Sequence, residues 1–320
     1  MNNRKKILGI IGIPVLTLVI VEAIALINGV VLFETKLSWL TFARASANVL
    51  LVTYALSINL NSGRFDFSIG SIALLSSIIS STIVLKMGLG LMWMIILSVV
   101  FGILLGLISG GIYTLVKLPP IIVSLGITMF YEGLGYSITG GHGVSFVTNK
   151  ELLSFATIPN YLLIVVISLT LMIFVFDYTE FGYNYKALLS GQKVAVDTGI
   201  KEVSNALICY AIAGALMGVQ GFVSATNNGS IQIALNFGSI SPMFMAFLPM
   251  FIGGYIGQYI NDKVGYLLGA VSMALISLFY VRMNVSSSIQ QIVSALLLVG
   301  FLIYLNNQNK LKSLFQKKTK

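Results

Sequence analysis

Charge is what this sequence has least of. Of its 320 residues, 9% are charged and 57% are hydrophobic, and the mean hydropathy is +0.95. Soluble domains carry about 25% charged residues, so the composition excludes a water-soluble globule. It reads as an all-α polytopic membrane protein of the plasma membrane, in contact with the lipid bilayer. Cysteine and histidine are almost absent, with one of each at Cys209 and His142. A single cysteine excludes a disulfide framework, and the two residues cannot make a metal centre. Cys209 reads as a small core residue and His142 as a solvated loop residue. The chain lacks G-x-x-x-x-G-K-[ST], so it does not bind ATP through a P-loop. It also lacks G-x-S-x-G, the most familiar serine-hydrolase signature. With no catalytic constellation in view, no enzyme activity, cofactor or metal is expected. The net charge of +9 does not point to nucleic acid, because no basic stripe interleaves with aromatic residues.

What the chain does have is a series of apolar runs. The first, 7–33, follows Arg4, Lys5 and Lys6. It is long enough for an uncleaved span, although Ala23-Ile24-Ala25 imitates a cleavage site. Others fall at about 39–60, 67–85, 91–112, 118–138, 160–177, 204–225, 242–259, 264–281 and 288–305, each near the ~20 residues that cross a bilayer. That makes about ten transmembrane helices in a single domain, 1–320. With the N-terminus inside, fourteen of the nineteen Lys and Arg residues fall on the inner side, leaving Lys36, Arg44, Lys86, Lys150 and Arg282 outside. The positive-inside rule therefore puts both termini in the cytoplasm. The connections 139–159 and 226–241 are then external, and 177–204 is the long cytoplasmic loop. The basic tail 306–320 is expected to lie on anionic lipid. Spans 2–5 and 7–10 enter from opposite faces, and each set carries a Gly/Ser break near its second member, at 63–71 and 236–242. This is the pattern of an inverted-topology repeat.

Polar residues within this background need a reason to be there. Between two apolar runs, Asn59 to Ser68 forms a short polar junction, either a surface turn or part of a route through the protein. Asp66 there can cap the third span, satisfying free amides in its first turn. Glu132, deep in the fifth span, reads as a proton or sodium site, as a polar contact near the outer mouth of a pore, or as a packing hydrogen bond. Pro119-Pro120 marks where that span begins. A passage for a neutral polyol needs hydroxyls and amides, and Tyr54, Asn59, Asn61, Ser68, Gln220 and Asn227 can supply them. In the inner loop, Lys186 to Val196 can form a short amphipathic helix interrupted at Gly191. A lone helix of that length is marginal in water, so it is expected to rest on the membrane surface or on a protein partner.

GRFDFSIGSIALLSS, KLPPIIVSLGITMFYEGLGYSITGG, TEFGYNYKALLSGQKVAVDTGI and NVSSSIQQIVSALLLV, taken in order over about 40–305, resemble the ribose/xylose/galactoside-type ABC transporter permeases. The resemblance implies a permease subunit paired with a second permease chain, as a homo- or heterodimer. It also implies separate ABC ATPases and an extracytoplasmic solute-binding protein that delivers a ribose-like or other sugar. Carried over by position, the ATPase-coupling segment comprises Ala187, Gly191, Ala195, Gly199 and Ile200, and the signature comprises Asp66, Ser68, Gly70 and Ser71. The chain departs from the family pattern at Arg64, which stands where the family has an aliphatic or small residue. The competing reading is an ion-coupled secondary transporter of a sugar or nucleoside, with Glu132 or Asp66 as the coupling site.

Overall fold

The computed structural model describes residues 3–317, with side chains from Lys6 to Asn307. The outermost residues of the basic tail expected at 306–320 lie outside the described residues. Ten helices in the described chain are long and apolar enough to cross a membrane. They are α1 (Asn3–Ile27), α2 (Lys36–Asn61), α3 (Ser68–Met87), α4 (Leu91–Val116), α5 (Pro120–Thr139), α7 (Ile158–Tyr178), α10 (Glu202–Asn228), α11 (Ser241–Ile256, spanning together with the 3-10 turn before it as Gly238–Ile256), α12 (Asp262–Arg282) and α13 (Ser287–Lys317). Three shorter helices, α6 (Lys150–Leu153), α8 (Glu180–Ser190) and α9 (Gln192–Asp197), lie in the connections. The chain is thus an all-α polytopic membrane protein.

Local sequence sets the helix ends. Thr35 Oγ1 accepts the Ser38 amide and opens α2, and proline opens α5. Gly88, at φ 63°, closes α3 in the left-handed conformation that glycine adopts without strain. Helix α1 stops at Ile27, short of the apolar limit at 33, because Asn28 and Gly29 (φ 72°) turn the chain. Val30 and Phe33 then fold back onto Val21, Ala25 and Leu278.

Packing repeats between the two halves. Helix α4 packs on α10 and α3, as α12 packs on α2 and α11; α3 packs on α5 and α10, as α11 packs on α13 and α2. Exchanging α2–α5 with α10–α13 reproduces these four pairings, although α4 also meets α5 where α12 and α13 have no contact of matching extent. An odd number of crossings between the halves would invert one against the other. Helix α1 lies against α12, and α7 against α2.

Glycine makes the closest of these contacts possible. A Cβ on Gly102 would stand 2.3 Å from the Gly214 carbonyl oxygen, and one on Gly214 would stand 2.2 Å from that of Gly102. Likewise a Cβ on Gly265 would meet the Gly253 oxygen at 2.4 Å, and one on Gly269 the Pro249 oxygen at 2.2 Å. Both seams carry small residues at four-residue spacing, where bare backbones approach and dispersion drives association in lipid. At one end of the bundle, Val144–Ser145 (β1) pairs antiparallel with Ser230–Ile231 (β2) and ties the 140–157 connection to 229–240. Helices α8 and α9 lie at the other end. Substituting Gly214→Leu is expected to destabilise the detergent-solubilised protein by about 1–3 kcal/mol through overpacking, whereas Gly111→Ala, with nothing within 4 Å of its Cβ position, is expected to be neutral. Thermal unfolding of both variants checks this.

Candidate translocation and coupling site

Two buried carboxylates hold the two interrupted helix starts. Asp66, 2% exposed, lies in the connection before α3. Its Oδ1 accepts the Ser68 amide at 2.8 Å and the Ser68 hydroxyl at 2.6 Å, and its Oδ2 accepts Asn59 Nδ2 at 3.2 Å. Ser68 Oγ lies 3.4 Å from Ser109 Oγ, which pairs with the Tyr131 hydroxyl at 3.1 Å. Glu132, 1% exposed, reaches from α5 to the break before α11. Its Oε2 accepts the Phe237 amide at 3.0 Å, and its Oε1 accepts the Ser239 amide at 2.9 Å and hydroxyl at 2.6 Å. Asn236 and Phe237 there hold left-handed φ values of 56° and 65°. A short 3-10 turn, Gly238–Ile240, then leads into α11. Free amides at a helix start attract negative charge; Asp66 answers that need within its own half, and Glu132 answers it across to the other.

A cavity of about 580 Å³ opens between α3 and α10 beside β2, lined by Gly70, Ser77, Gln220, Ser224, Asn228 and Ser239 among others. Among the described residues, no ionisable side chain lines it. Gln220 Nε2 donates to Ser224 Oγ at 2.8 Å and to Asn48 Oδ1 at 3.4 Å. Gly70 lets α3 meet the 238–240 turn, since a Cβ there would stand 2.0 Å from the Ser239 oxygen.

Of the residues expected along a route, Gln220 and Gly70 reach this cavity. Tyr54 instead donates to the Lys263 carbonyl at 2.9 Å. Asn59, Ser68 and Ser71 are buried in packing, Ser71 donating to the Ser68 carbonyl. Asn227 accepts from Tyr161. Asn61 lies at the α8–α9 end, where it donates to the Tyr266 hydroxyl at 2.9 Å and lines a separate pocket of about 250 Å³. Asn48, Ser77, Ser224, Asn228 and Ser239 were not singled out from the sequence. The signal for three lining residues was present: Gln220, Ser224 and Asn228 recur every four residues and so share one face of α10.

The 177–204 connection folds as two helices where the sequence suggested one. Thr179 Oγ1 accepts the Gly182 amide and starts α8 six residues before Lys186. Gly191 separates α8 from α9, and Gly199 (φ 97°) ends the turn, with the Ile200 amide donating to the Ala195 carbonyl at 3.1 Å. Ala195 is buried and Ala187 half-buried. The pair is anchored from below. Tyr185 donates to the Ile58 carbonyl at 2.9 Å, and burial raises its phenol so that it stays protonated as a donor. Asp177 takes Lys186 Nζ at 2.5 Å and Asn261 Nδ2 at 2.7 Å. Helix α8 is thereby linked both to the foot of α2 and to the α11–α12 turn. Val194 is 69% exposed, and Leu189 and Val196 are exposed beside it.

Ten spans, a neutral cavity and an anchored helix pair in the 177–204 connection describe a multi-pass transport component. The family model described as branched-chain amino acid transport system / permease component matches residues 40–305, and the chain belongs to that family. Similar proteins include an autoinducer 2 import system permease of Photorhabdus luminescens, 28% identical over 62% of this chain and 61% of that protein. A fructose import permease of Bifidobacterium longum is 24% identical over 78% of this chain and 71% of its own length. An autoinducer 2 import system permease of Yersinia enterocolitica is 22% identical over 85% and 76%. The chain therefore spans about three fifths of the Photorhabdus relative and more of the others. No solved structure matches. The family agrees with the resemblance read from the four sequence segments.

The Asp66 geometry carries a test. Asp66→Ala strips the Ser68 amide and hydroxyl of their acceptor and is expected to cost about 1–3 kcal/mol, with Ser68→Ala in the Asp66→Ala background costing little more. Asp66→Asn keeps that acceptor and is expected to cost less, because Asn59 Oδ1, which has no partner, can turn to the new N–H. Thermal unfolding of the variants measures it.

Proposed function

We propose that this chain is the membrane-spanning subunit of an ABC importer that carries a ribose-like or other sugar inward, with both termini in the cytoplasm. A second permease chain completes the pathway, an extracytoplasmic binding protein delivers the solute near the β1–β2 end, and separate ATPases dock on α8 and α9. The observation that carries this reading is the use made of Asp66 and Glu132. Each gives both oxygens to partners within the chain, and neither lines the 580 Å³ cavity. Both carboxylates thus commit their oxygens to the chain itself and stand away from the passage, which favours the ATP-driven reading over an ion-coupled carrier. The amide and hydroxyl lining of that cavity suits an uncharged polyol. Energy then arrives mechanically. The exposed apolar surface of α9 offers a docking face, and Tyr185 and Asp177 convey its movement to α2 and the α11–α12 turn.

The signature Asp66, Ser68, Gly70 and Ser71 serves in this account as the fixed start of α3 beside the solute, with Ala187, Gly191, Ala195, Gly199 and Ile200 shaping the docking element. Uptake of labelled ribose and fructose by cells expressing the whole system is expected to collapse on ATP depletion and to survive dissipation of proton and sodium gradients. Val194→Glu is expected to cut that uptake by about tenfold or more, as loss of a central contact does, with the amount of folded protein unchanged. Uptake that follows an ion gradient and ignores Val194→Glu would contradict the proposal.

A further inference from the structure

Arg64 is the one buried guanidinium in the α2–α3 connection, and it is poorly matched. It is 6% exposed, its Nε has no hydrogen-bond partner, and one Nη donates only to the Cys209 thiol at 3.5 Å. Sulfur is a weak acceptor, while a guanidinium presents five N–H donors. None of the ion pairs found among the described residues includes Arg64. Asp66, two residues on, is occupied by Ser68 and Asn59. A buried charge without a counter-ion is costly in a low-dielectric interior.

Arg64 lines the pocket of about 250 Å³ at the α8–α9 end, together with Asn61, Tyr185, Gln192, Glu202 and Asn205. Glu202 is already engaged, accepting Gln192 Nε2 at 2.7 Å. The cavity thus sets a cation that belongs to no ion pair beside one carboxylate, on walls contributed by the end of α2, the α2–α3 connection, α8, α9 and α10. The Asn61, Tyr185 and Asn205 donors bond within the chain, and Arg64 keeps free N–H groups. We infer that this pocket is a binding site for a small oxyanion of the phosphate or carboxylate class, held by Arg64. Planar N–H pairs of a guanidinium match such anions in bidentate fashion. Because the walls belong both to the docking helices and to the foot of the α2–α3 pair, an occupied site ties these parts together. Glu202, a carboxylate on the same cavity wall, opposes an anion there by like-charge repulsion.

The test uses the full chain in nanodiscs, with inorganic phosphate and acetate as probes against chloride at equal ionic strength. At least one oxyanion is expected to raise the unfolding midpoint in a saturable way, as a ligand that binds only the folded state must. The same anion is expected to slow amide exchange over 187–200. Arg64→Met is expected to abolish both responses and to unfold at a higher temperature than wild type in chloride, since it removes an uncompensated buried charge. Glu202→Gln is expected to tighten the apparent affinity by roughly threefold or more by removing a nearby like charge. Absence of an oxyanion response in the wild type, an equal response in Arg64→Met, or unchanged affinity in Glu202→Gln would each overturn the assignment.

Discussion

A peptide group within a bilayer has no water to bond, and this protein breaks its backbone at two places where that constraint bites. At each break a buried carboxylate supplies the missing partner. Asp66 serves α3 from its own connection, while Glu132 serves the turn before α11 from another helix, 107 residues away in the chain. Much of the architecture follows from these two anchors. They fix where the interrupted helices begin, and the second binds α5 to the opposite half of the molecule. They also leave the adjoining cavity lined by neutral groups. A carboxylate held by backbone donors is a strut, and its chemistry is spent on the fold.

Around those anchors, bare backbone contact does the remaining work. Lipid is as apolar as leucine, so burial of leucine does not drive helix pairing in a membrane; close approach does. The Gly102–Gly214 and Gly253–Gly265 seams make two tight helix pairs, α4 with α10 and α11 with α12. The polar cavity lies where α3 and α10 meet the turn before α11. Under the proposed function the glycine-sealed pairs move as blocks, and the Tyr185–Ile58 and Asp177–Asn261 bonds carry motion of α8 to them.

Much of this was legible in the sequence, and the reasons differ from element to element. The ten spans showed because hydropathy integrates over twenty residues and tolerates local error. Asp66 was readable as a cap because its partner Ser68 is two residues away. The partners of Glu132 were not, since nothing local links Glu132 to Phe237 and Ser239. The three readings of that residue could be separated only by a tertiary contact. Gln220 was singled out because an amide is conspicuous in an apolar run. Ser224 and Asn228 on the same face are small and pass as packing residues. Asn227, one position off that face, turns toward Tyr161 instead. The inner loop was read as one helix from Lys186 because amphipathicity is strongest there, yet the Thr179 cap starts α8 earlier. Arg64 stood out as a departure from the family pattern, but its lack of a counter-ion is visible only in three dimensions.

The most direct measurement of the central claim is residue-resolved hydrogen exchange of the Phe237 and Ser239 amides in nanodiscs. Both lie in or beside a left-handed break where a regular ladder gives no protection. The account predicts that they exchange as slowly as amides within α11, and that Glu132→Ala releases these two while sparing α11 itself. Fast exchange at both positions in the wild type would contradict it, and would return Glu132 to the pool of groups free to bind an ion.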